Sequence, residues 1–277
     1  MGGRFGSSPG AVVGACLLLC VAGMAAVAPW LAPQSPNAIH VQDRLLSPLS
    51  VRAGVRHWLG TDSLGRDVLS RFLVGARISL FVGLSAVAIG GTLGTAIGLV
   101  SGYYGGRLDR LMMRLGDVQL AFPFILLALA VMAVLGPGLA NIIGVLGVNS
   151  WTTYARVVRA EVLSVREREF VQAARALGAA TPRILGIHAL PNVIGTVVVV
   201  ATFSVAATIL SEAGLSFLGL GVGAGTPTWG QMLADARDYI TDAWWLTTFP
   251  GLGILVTVLG VNLIGDWLRD YLDPRLR

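Results

Sequence analysis

The sequence predicts an all-α integral membrane protein with six transmembrane helices. Of its 277 residues, 55% are hydrophobic and 13% are charged, and the mean hydropathy is +0.74. Soluble domains carry about 25% charged residues, so a soluble fold of this size would be unusually poor in charge. The apolar residues lie in continuous runs near the ~20 residues that a helix needs to cross a bilayer. Because these runs do not alternate with polar residues, they predict helices and not a β-barrel.

The six apolar runs cover residues 11–32, 78–101, 118–136, 139–156, 193–211 and 244–265. The fourth is the weakest, because Asn141, Asn149 and Ser150 dilute it. We expect residues 1–56 to form an N-terminal anchor helix and the start of an outer loop. We expect residues 57–277 to form a core with five transmembrane helices.

The first apolar run has a second interpretation as a cleaved signal peptide. Ala26, Val27 and Ala28 have the A-x-A form of a cleavage site. However, the run exceeds the roughly 7–15 apolar residues of a signal peptide, and Pro29 would directly follow the cut. A retained anchor is therefore the favoured interpretation.

All the basic residues are arginines, and their distribution predicts the orientation. Cytoplasmic segments next to transmembrane helices carry an excess of Lys and Arg. Placing both termini in the cytoplasm puts most arginines there, including Arg4, Arg275 and Arg277. The absence of lysine also excludes a standard Walker A site and a Schiff-base mechanism in this chain.

The second apolar run contains four glycines at intervals of four: Gly90, Gly94, Gly98 and Gly102. Residues at this spacing lie on one face of a helix. Without Cβ atoms, such a face allows another helix backbone to approach closely. We expect a helix-packing face, and the sequence leaves open whether its partner belongs to this chain or to another.

Two segments on the outer side are more than simple turns. Residues 61–76 have apolar and polar residues at helical spacing, which predicts an amphipathic helix lying at the membrane interface. Residues 213–243 predict a glycine-rich loop followed by a short helix. The preceding Glu212 is the one acid placed deep enough to be a gate or part of a substrate path. Its alternative interpretation is a carboxylate at a helix end, hydrogen-bonded to a neighbour.

The apolar runs contain no constellation for catalysis or metal binding. His40, His57 and His188 all lie in predicted loops, and no HExxH motif is present. An ion-driven carrier usually has carboxylates within its helices, and Glu212 is the sole candidate. We therefore predict a passage that is neither an enzyme nor self-powered and that takes energy from a partner. A stand-alone secondary carrier, a scaffold and an enzyme are the alternatives.

A polar segment at residues 169–192, EFVQAARALGAATPRILGIHALPN, interrupts the apolar runs on the cytoplasmic side. Phe170, Ala173, Ala174 and Leu177 have the i, i+3, i+4, i+7 spacing of one helix face. Gly178 is expected to end this helix. Thr181 and Pro182 are then expected to start a second short helix, which Pro191 closes.

This segment resembles the cytoplasmic motif of ABC importer permeases. Gln172, Ala173 and Ala174, then Gly178, then Leu190 and Pro191 match its order and spacing, with Gln172 in place of the usual Glu. The stretches HWLGTDSLGRDVLSR, GARISL, GYYGGRLD, LSFLGLG, TPTWGQML and GDWLRDYLDPRLR are similar to the second permease subunit of dipeptide, oligopeptide and nickel importers. The similarity extends from about residue 57 to the C-terminus.

The resemblance implies a type I ABC importer permease fold with a cytoplasmic coupling loop at about 157–192. It implies a bilayer-embedded subunit that works with a homologous permease, two ATP-binding subunits and an extracytoplasmic substrate-binding protein. ATP and magnesium would bind in the partner subunits, with no cofactor in this chain and no nucleic acid. The cargo would be peptides, with nickel or another small solute as the alternative. The implied ATPase-coupling residues are Phe170, Gln172, Ala173, Ala174, Leu177, Gly178, Leu190 and Pro191.

Overall fold

The structure, a computed structural model, describes residues 8–223 and 225–272, which are mainly helical. Arg4, Arg275 and Arg277, which enter the orientation prediction, lie outside the described residues. The helices are α1 (Pro9–Leu31), α2 (Val68–Tyr104), α3 (Gly106–Ala121), α4 (Phe124–Leu135), α5 (Leu139–Val165), α6 (Glu169–Ala176), α7 (Thr181–Arg183), α8 (Leu190–Phe217), α9 (Trp229–Ala236) and α10 (Trp245–Leu272). A small antiparallel hairpin, β1 (Ser50–Arg52) and β2 (Val55–His57), lies between α1 and α2 and pairs Val51 with Arg56.

Helix α1 packs against α10 in the antiparallel direction through small residues. A Cβ atom added at Gly14 would lie 3.0 Å from the Gly260 carbonyl oxygen, and one added at Gly260 would lie 3.0 Å from the Leu18 side chain. Glycines at such contacts let two backbones approach closely. The start of α1 and the end of α10 therefore lie at the same end of the helix bundle.

Helix α2 is longer than predicted, and the prediction of a separate interfacial helix at residues 61–76 is wrong. Residues 61–67 are not helical; Asp67 is the N-cap and accepts a hydrogen bond from the Ser70 amide at 2.8 Å. The helix then continues for 37 residues to Tyr104. Arg71, in the first turn of this helix, is buried with its charge paired to Asp235. Pairing lowers the free energy of burying the charge, so the helix is not interrupted there.

The prediction of a single transmembrane helix over residues 118–136 is also wrong. Helices α3 and α4 meet at a bend of 88°. Pro123 stands at the break, and Phe122 before it has extended backbone, as residues before proline usually do. Helix α3, absent from the prediction, is joined to α5 by an ion pair between Asp109 and Arg159.

The described residues contain four helices that are long and apolar enough to cross a membrane: α1, α2, α10 and the continuous helix Thr181–Phe217. The bent pair α3–α4 would be a fifth. Helix α5 has 27 residues but is not among them, because Asn141, Asn149 and Arg156 lower its hydropathy. The structure is thus a multi-helix membrane fold, and the count of six spans stays a prediction.

The main apolar core lies between α1, α2, α8, α9 and α10. Trp229 on α9 is fully buried in it and stacks on Phe72 of α2, with ring centroids 5.6 Å apart. Helix α5 packs along α2 on another side of the bundle. The long helices therefore form the frame on which the loops at both ends are held.

Candidate functional site

The polar segment between α5 and α8 begins with helix α6, which ends as the sequence predicts. Gly178 has φ +79°, a left-handed conformation that favours glycine. The Gly178 amide donates to the Arg175 carbonyl and the Ala179 amide to the Ala174 carbonyl, both at 3.0 Å. This pair of hydrogen bonds is a Schellman motif, which fixes the direction of the chain after the helix.

The predicted apolar face of α6 points out of the protein. Val171 is the residue of α6 that is buried, in a cluster with Val165 and Ile184. On the other side, the side chains of Phe170 and Leu177 are exposed by 40% and 89%, and Ala173 is exposed as well. A short helix with a buried inner face and an exposed apolar outer face is suited to contact another protein.

The second half of the segment differs from the prediction. Thr181 is the first residue of α7, and Ala180 is its N-cap. Pro191 does not close a second short helix, because α7 continues through a π-helical turn at Ile184–Ala189 into α8. Such a turn relieves the conflict between a proline ring and the carbonyl one turn before it. Leu190 and Pro191 thus belong to the first turn of α8.

Several contacts fasten this segment to the ends of the long helices. Arg166 Nη1 donates to the carbonyl oxygen of Gly102 at 3.0 Å, and Arg175 lies over the ring of Tyr103 at 5.3 Å. The side-chain amide of Gln172 donates to the Arg166 carbonyl at 3.1 Å. A force applied to α6 would therefore reach α2 and α5 through short, packed contacts.

The four glycines of α2 lie against α5 of the same chain, which answers the question left open by the sequence. A Cβ atom added at Gly98 would lie 2.7 Å from Val158 Cβ, and one at Gly102 would lie 2.8 Å from Val162 Cβ. Gly90 and Gly94 contact the backbone of α5 in the same way. The contacts advance along both helices together, so α2 and α5 run parallel to each other.

Glu212 lies near the C-terminal end of α8, fully buried beneath α9. Its Oε1 accepts hydrogen bonds from Ser216 Oγ at 2.7 Å and from Thr228 Oγ1 at 2.8 Å. Thr228 Oγ1 also accepts from the Gln231 amide at 3.0 Å and so caps α9. This is the hydrogen-bonded arrangement of the alternative interpretation, and a role in gating stays a prediction.

Helix α9 confirms the short helix predicted after the glycine-rich loop, but its place in the bundle was not foreseen. The Trp229 amide donates to Ser79 Oγ and its indole Nε1 to the Phe72 carbonyl, both at 3.1 Å. Asp235 Oδ2 accepts from Arg66 at 2.9 Å and from Arg71 at 3.1 Å. The short spacing between Thr228, Trp229 and Asp235 indicates a helix at this position. The pairing of Asp235 with Arg71, 164 residues away, cannot be predicted from the sequence.

Within residues 8–223 and 225–272, no group of three or more His, Cys, Asp or Glu side chains is arranged to hold a metal ion.

The fold is similar to that of a chain in a solved ABC transporter. A solved structure of the MetNI methionine ABC transporter, described as inward facing, matches 70% of this chain and 95% of its own with a TM-score of 0.53 at 23% identity. That similarity concerns the fold alone. The type I importer permease fold expected from the sequence is confirmed at this level.

Residues 94–277 match the family of binding-protein-dependent transport system inner membrane components, and the chain belongs to that family. Residues 3–48 match the N-terminal TM domain of oligopeptide transport permease C. The di/tripeptide transport system permease protein DppC of Pseudomonas aeruginosa is 46% identical over 99% of this chain and 90% of its own. The glutathione transport system permease protein GsiD of Escherichia coli is 44% identical over 99% and 89%. The predicted family is therefore confirmed.

Proposed function

We propose that this chain is the transmembrane permease subunit of an ATP-binding-cassette importer and forms half of a translocation path for peptides. Its relatives are named as permeases for di- and tripeptides and for glutathione, which is itself a peptide. The other half of the path is a homologous permease in the same bilayer. An extracytoplasmic binding protein delivers the peptide.

Two ATP-binding subunits supply the energy, and ATP and magnesium bind in those subunits. The single observation that carries this proposal is the exposed apolar face of α6, held on a segment that is bonded to α2. Phe170, Ala173 and Leu177 fill a cleft of an ATP-binding subunit. Gln172 and Ala174 flank that contact, Gly178 fixes the bend, and Leu190 and Pro191 carry the motion into α8. Movement between discrete packing arrangements then opens the path to alternate sides.

The orientation follows from the packing of the long helices. The start of α1 and the end of α10 lie at one end of the bundle, and Leu272 of α10 lies beside Gly195 near the start of α8. That end also carries α6. If α6 meets ATP-binding subunits in the cytoplasm, both termini are cytoplasmic, in the inner membrane of a bacterium.

Glu212 acts at the opposite end, as part of the outer gate. Its carboxylate holds Thr228 and therefore the start of α9. Because α9 also contacts α2 through Trp229, the hydrogen bonds of Glu212 join two membrane helices across the outer side. Opening outward then requires these helices to move together or to release α9.

The proposal is tested by uptake into proteoliposomes that contain this chain, its partner permease and both ATP-binding subunits. With the binding protein present, we expect dipeptide uptake that requires ATP. Uptake by this chain alone would assign it to the secondary carriers. Uptake of nickel with no uptake of dipeptides would replace the peptide by the metal ion as cargo.

A further inference from the structure

A large cavity lies at the end of the bundle that carries α6, between α5, α8 and α10. Its volume is about 700 Å³, which is within the roughly 300–1,000 Å³ of small-molecule sites. Its polar lining residues are Glu161, Ser164, Arg168, Asn192, Thr196 and Arg269, and apolar residues such as Val199 form the rest. The cavity therefore combines charged groups of both signs with an apolar wall.

Glu161 provides the negative charge of this cavity and is incompletely paired. Thr196 Oγ1 donates to Glu161 Oε1 at 2.5 Å. Glu161 Oε2 is buried and has no hydrogen-bond partner among the described residues. Burying a carboxylate oxygen without a hydrogen-bond donor costs free energy. A ligand that supplies a donor to this carboxylate would lower that cost. An ammonium group, which carries a positive charge and several N–H donors, is complementary to the Glu161 carboxylate that lines the cavity.

Arg168 and Arg269 provide the positive charges. Both side chains are exposed, and within residues 8–223 and 225–272 neither takes part in an ion pair. Arg168 is the N-cap of α6, and Arg269 lies in the last turns of α10. A guanidinium group matches a carboxylate in charge and in its paired N–H donors. The cavity thus offers one site for a cation and two for an anion.

We propose that this cavity binds a zwitterion, with its ammonium group at Glu161 and its anionic group at Arg168 and Arg269. The occupant is a free peptide that has crossed the membrane, so this inference rests on the proposed function. A peptide with free termini has both charges, and the apolar wall accommodates its side chains. The headgroup of phosphatidylethanolamine combines the same two charges, and the experiment must separate these two sources.

The test measures equilibrium binding of radiolabelled alanyl-alanine to the assembled importer in phosphatidylcholine nanodiscs, without the binding protein. Glu161→Gln is expected to weaken binding about tenfold, because hydrogen bonds to charged groups contribute this much. N-acetyl-alanyl-alanine lacks the ammonium group, so it should bind the wild type about tenfold more weakly than alanyl-alanine does. Its binding to Glu161→Gln should equal its binding to the wild type. Arg269→Gln should weaken both peptides, whereas Arg110→Gln, an exposed arginine on α3 outside the cavity, should change neither.

Three results would overturn the inference: no binding of alanyl-alanine to the wild type, binding by the Glu161→Gln and Arg269→Gln variants that equals that of the wild type, or no preference for the free N-terminus. Loss of peptide binding when phosphatidylethanolamine replaces phosphatidylcholine would assign the cavity to a lipid headgroup instead. ATP-driven uptake with the binding protein is measured on the same samples. If the wild type takes up peptide and the variants bind it as the wild type does, only this inference is refuted. If the wild type fails to take up peptide, the proposed function is refuted.

Discussion

The close contact between α2 and α5 makes Gly98→Ala destabilising although alanine is the better helix former. The added Cβ atom would lie 2.7 Å from Val158 Cβ and 2.8 Å from the Ala155 carbonyl oxygen. Ordinary contacts between such atoms are about 3.5–4.0 Å, so the helices must separate by roughly 1 Å. The carbonyl belongs to the backbone of α5 and cannot move aside by changing a rotamer.

The expected change is a loss of about 1–2 kcal/mol in the free energy of unfolding. Overpacking of a tight contact costs about 1–3 kcal/mol, and the helix preference for alanine over glycine returns about 0.5–1 kcal/mol. Unfolding by sodium dodecyl sulfate in bicelles, followed by tryptophan fluorescence, measures the difference. Gly102→Ala should behave in the same way, since its Cβ would lie 2.8 Å from Val162 Cβ.

Gly144→Ala and Gly214→Ala are the matched controls. Both glycines lie within helices, on α5 and α8, and an added Cβ would meet nothing within 4 Å. These variants should be as stable as the wild type or more stable. If Gly98→Ala is no less stable than Gly144→Ala, the close packing of α2 on α5 is refuted.

Three further predictions concern the ends of the bundle. Gly178→Val places a β-branched residue at φ +79°, which costs about 1–3 kcal/mol, and should lower the peptide transported per ATP hydrolysed. Asp235→Asn removes one of the two carboxylates, Asp62 and Asp235, that pair with the buried Arg71 and should lower the free energy of unfolding by about 1–3 kcal/mol. Thr228→Val removes a hydrogen bond to the buried Glu212 and should lower the same quantity by about 1–3 kcal/mol.

Each of these three variants has a control in the same region. Gly186→Val is in a helical turn with open space around it and should leave the coupling of ATP hydrolysis to uptake unchanged. Asp238→Asn affects an exposed pair with Arg237 and should change stability by well under 1 kcal/mol. Thr228→Ser keeps the hydroxyl and should retain most of the stability. Equal effects of variant and control would contradict the corresponding prediction.

The apolar runs were sufficient to locate the long helices, but their ends depended on tertiary contacts. The end of α6 was predictable because Gly178 determines it locally. The start of α2 was not, since Arg71 is included in a buried helix through its pairing with the distant Asp235 as well as with Asp62. The break at Pro123 was predictable in principle, but the apolar character of residues on both sides obscured it.

The candidate sites show the same division between local and distant information. The spacing of Gly90, Gly94, Gly98 and Gly102 is a local signal, whereas the identity of α5 as their partner depends on the whole fold. The π-helical turn before Pro191 joins α7 and α8 into one continuous helix. No spacing rule in the sequence marks such a turn.

The most direct test of the coupling role is disulfide crosslinking from the tip of α6 to the ATP-binding subunits. Leu177→Cys is introduced after Cys16 and Cys20 are replaced by serine, and cysteines are placed in turn around the cleft of the ATP-binding subunit. We expect a crosslink from Leu177→Cys that stops peptide uptake until it is reduced, and none from Arg110→Cys on α3. Failure of Leu177→Cys to crosslink in an importer that is active in uptake would contradict the account.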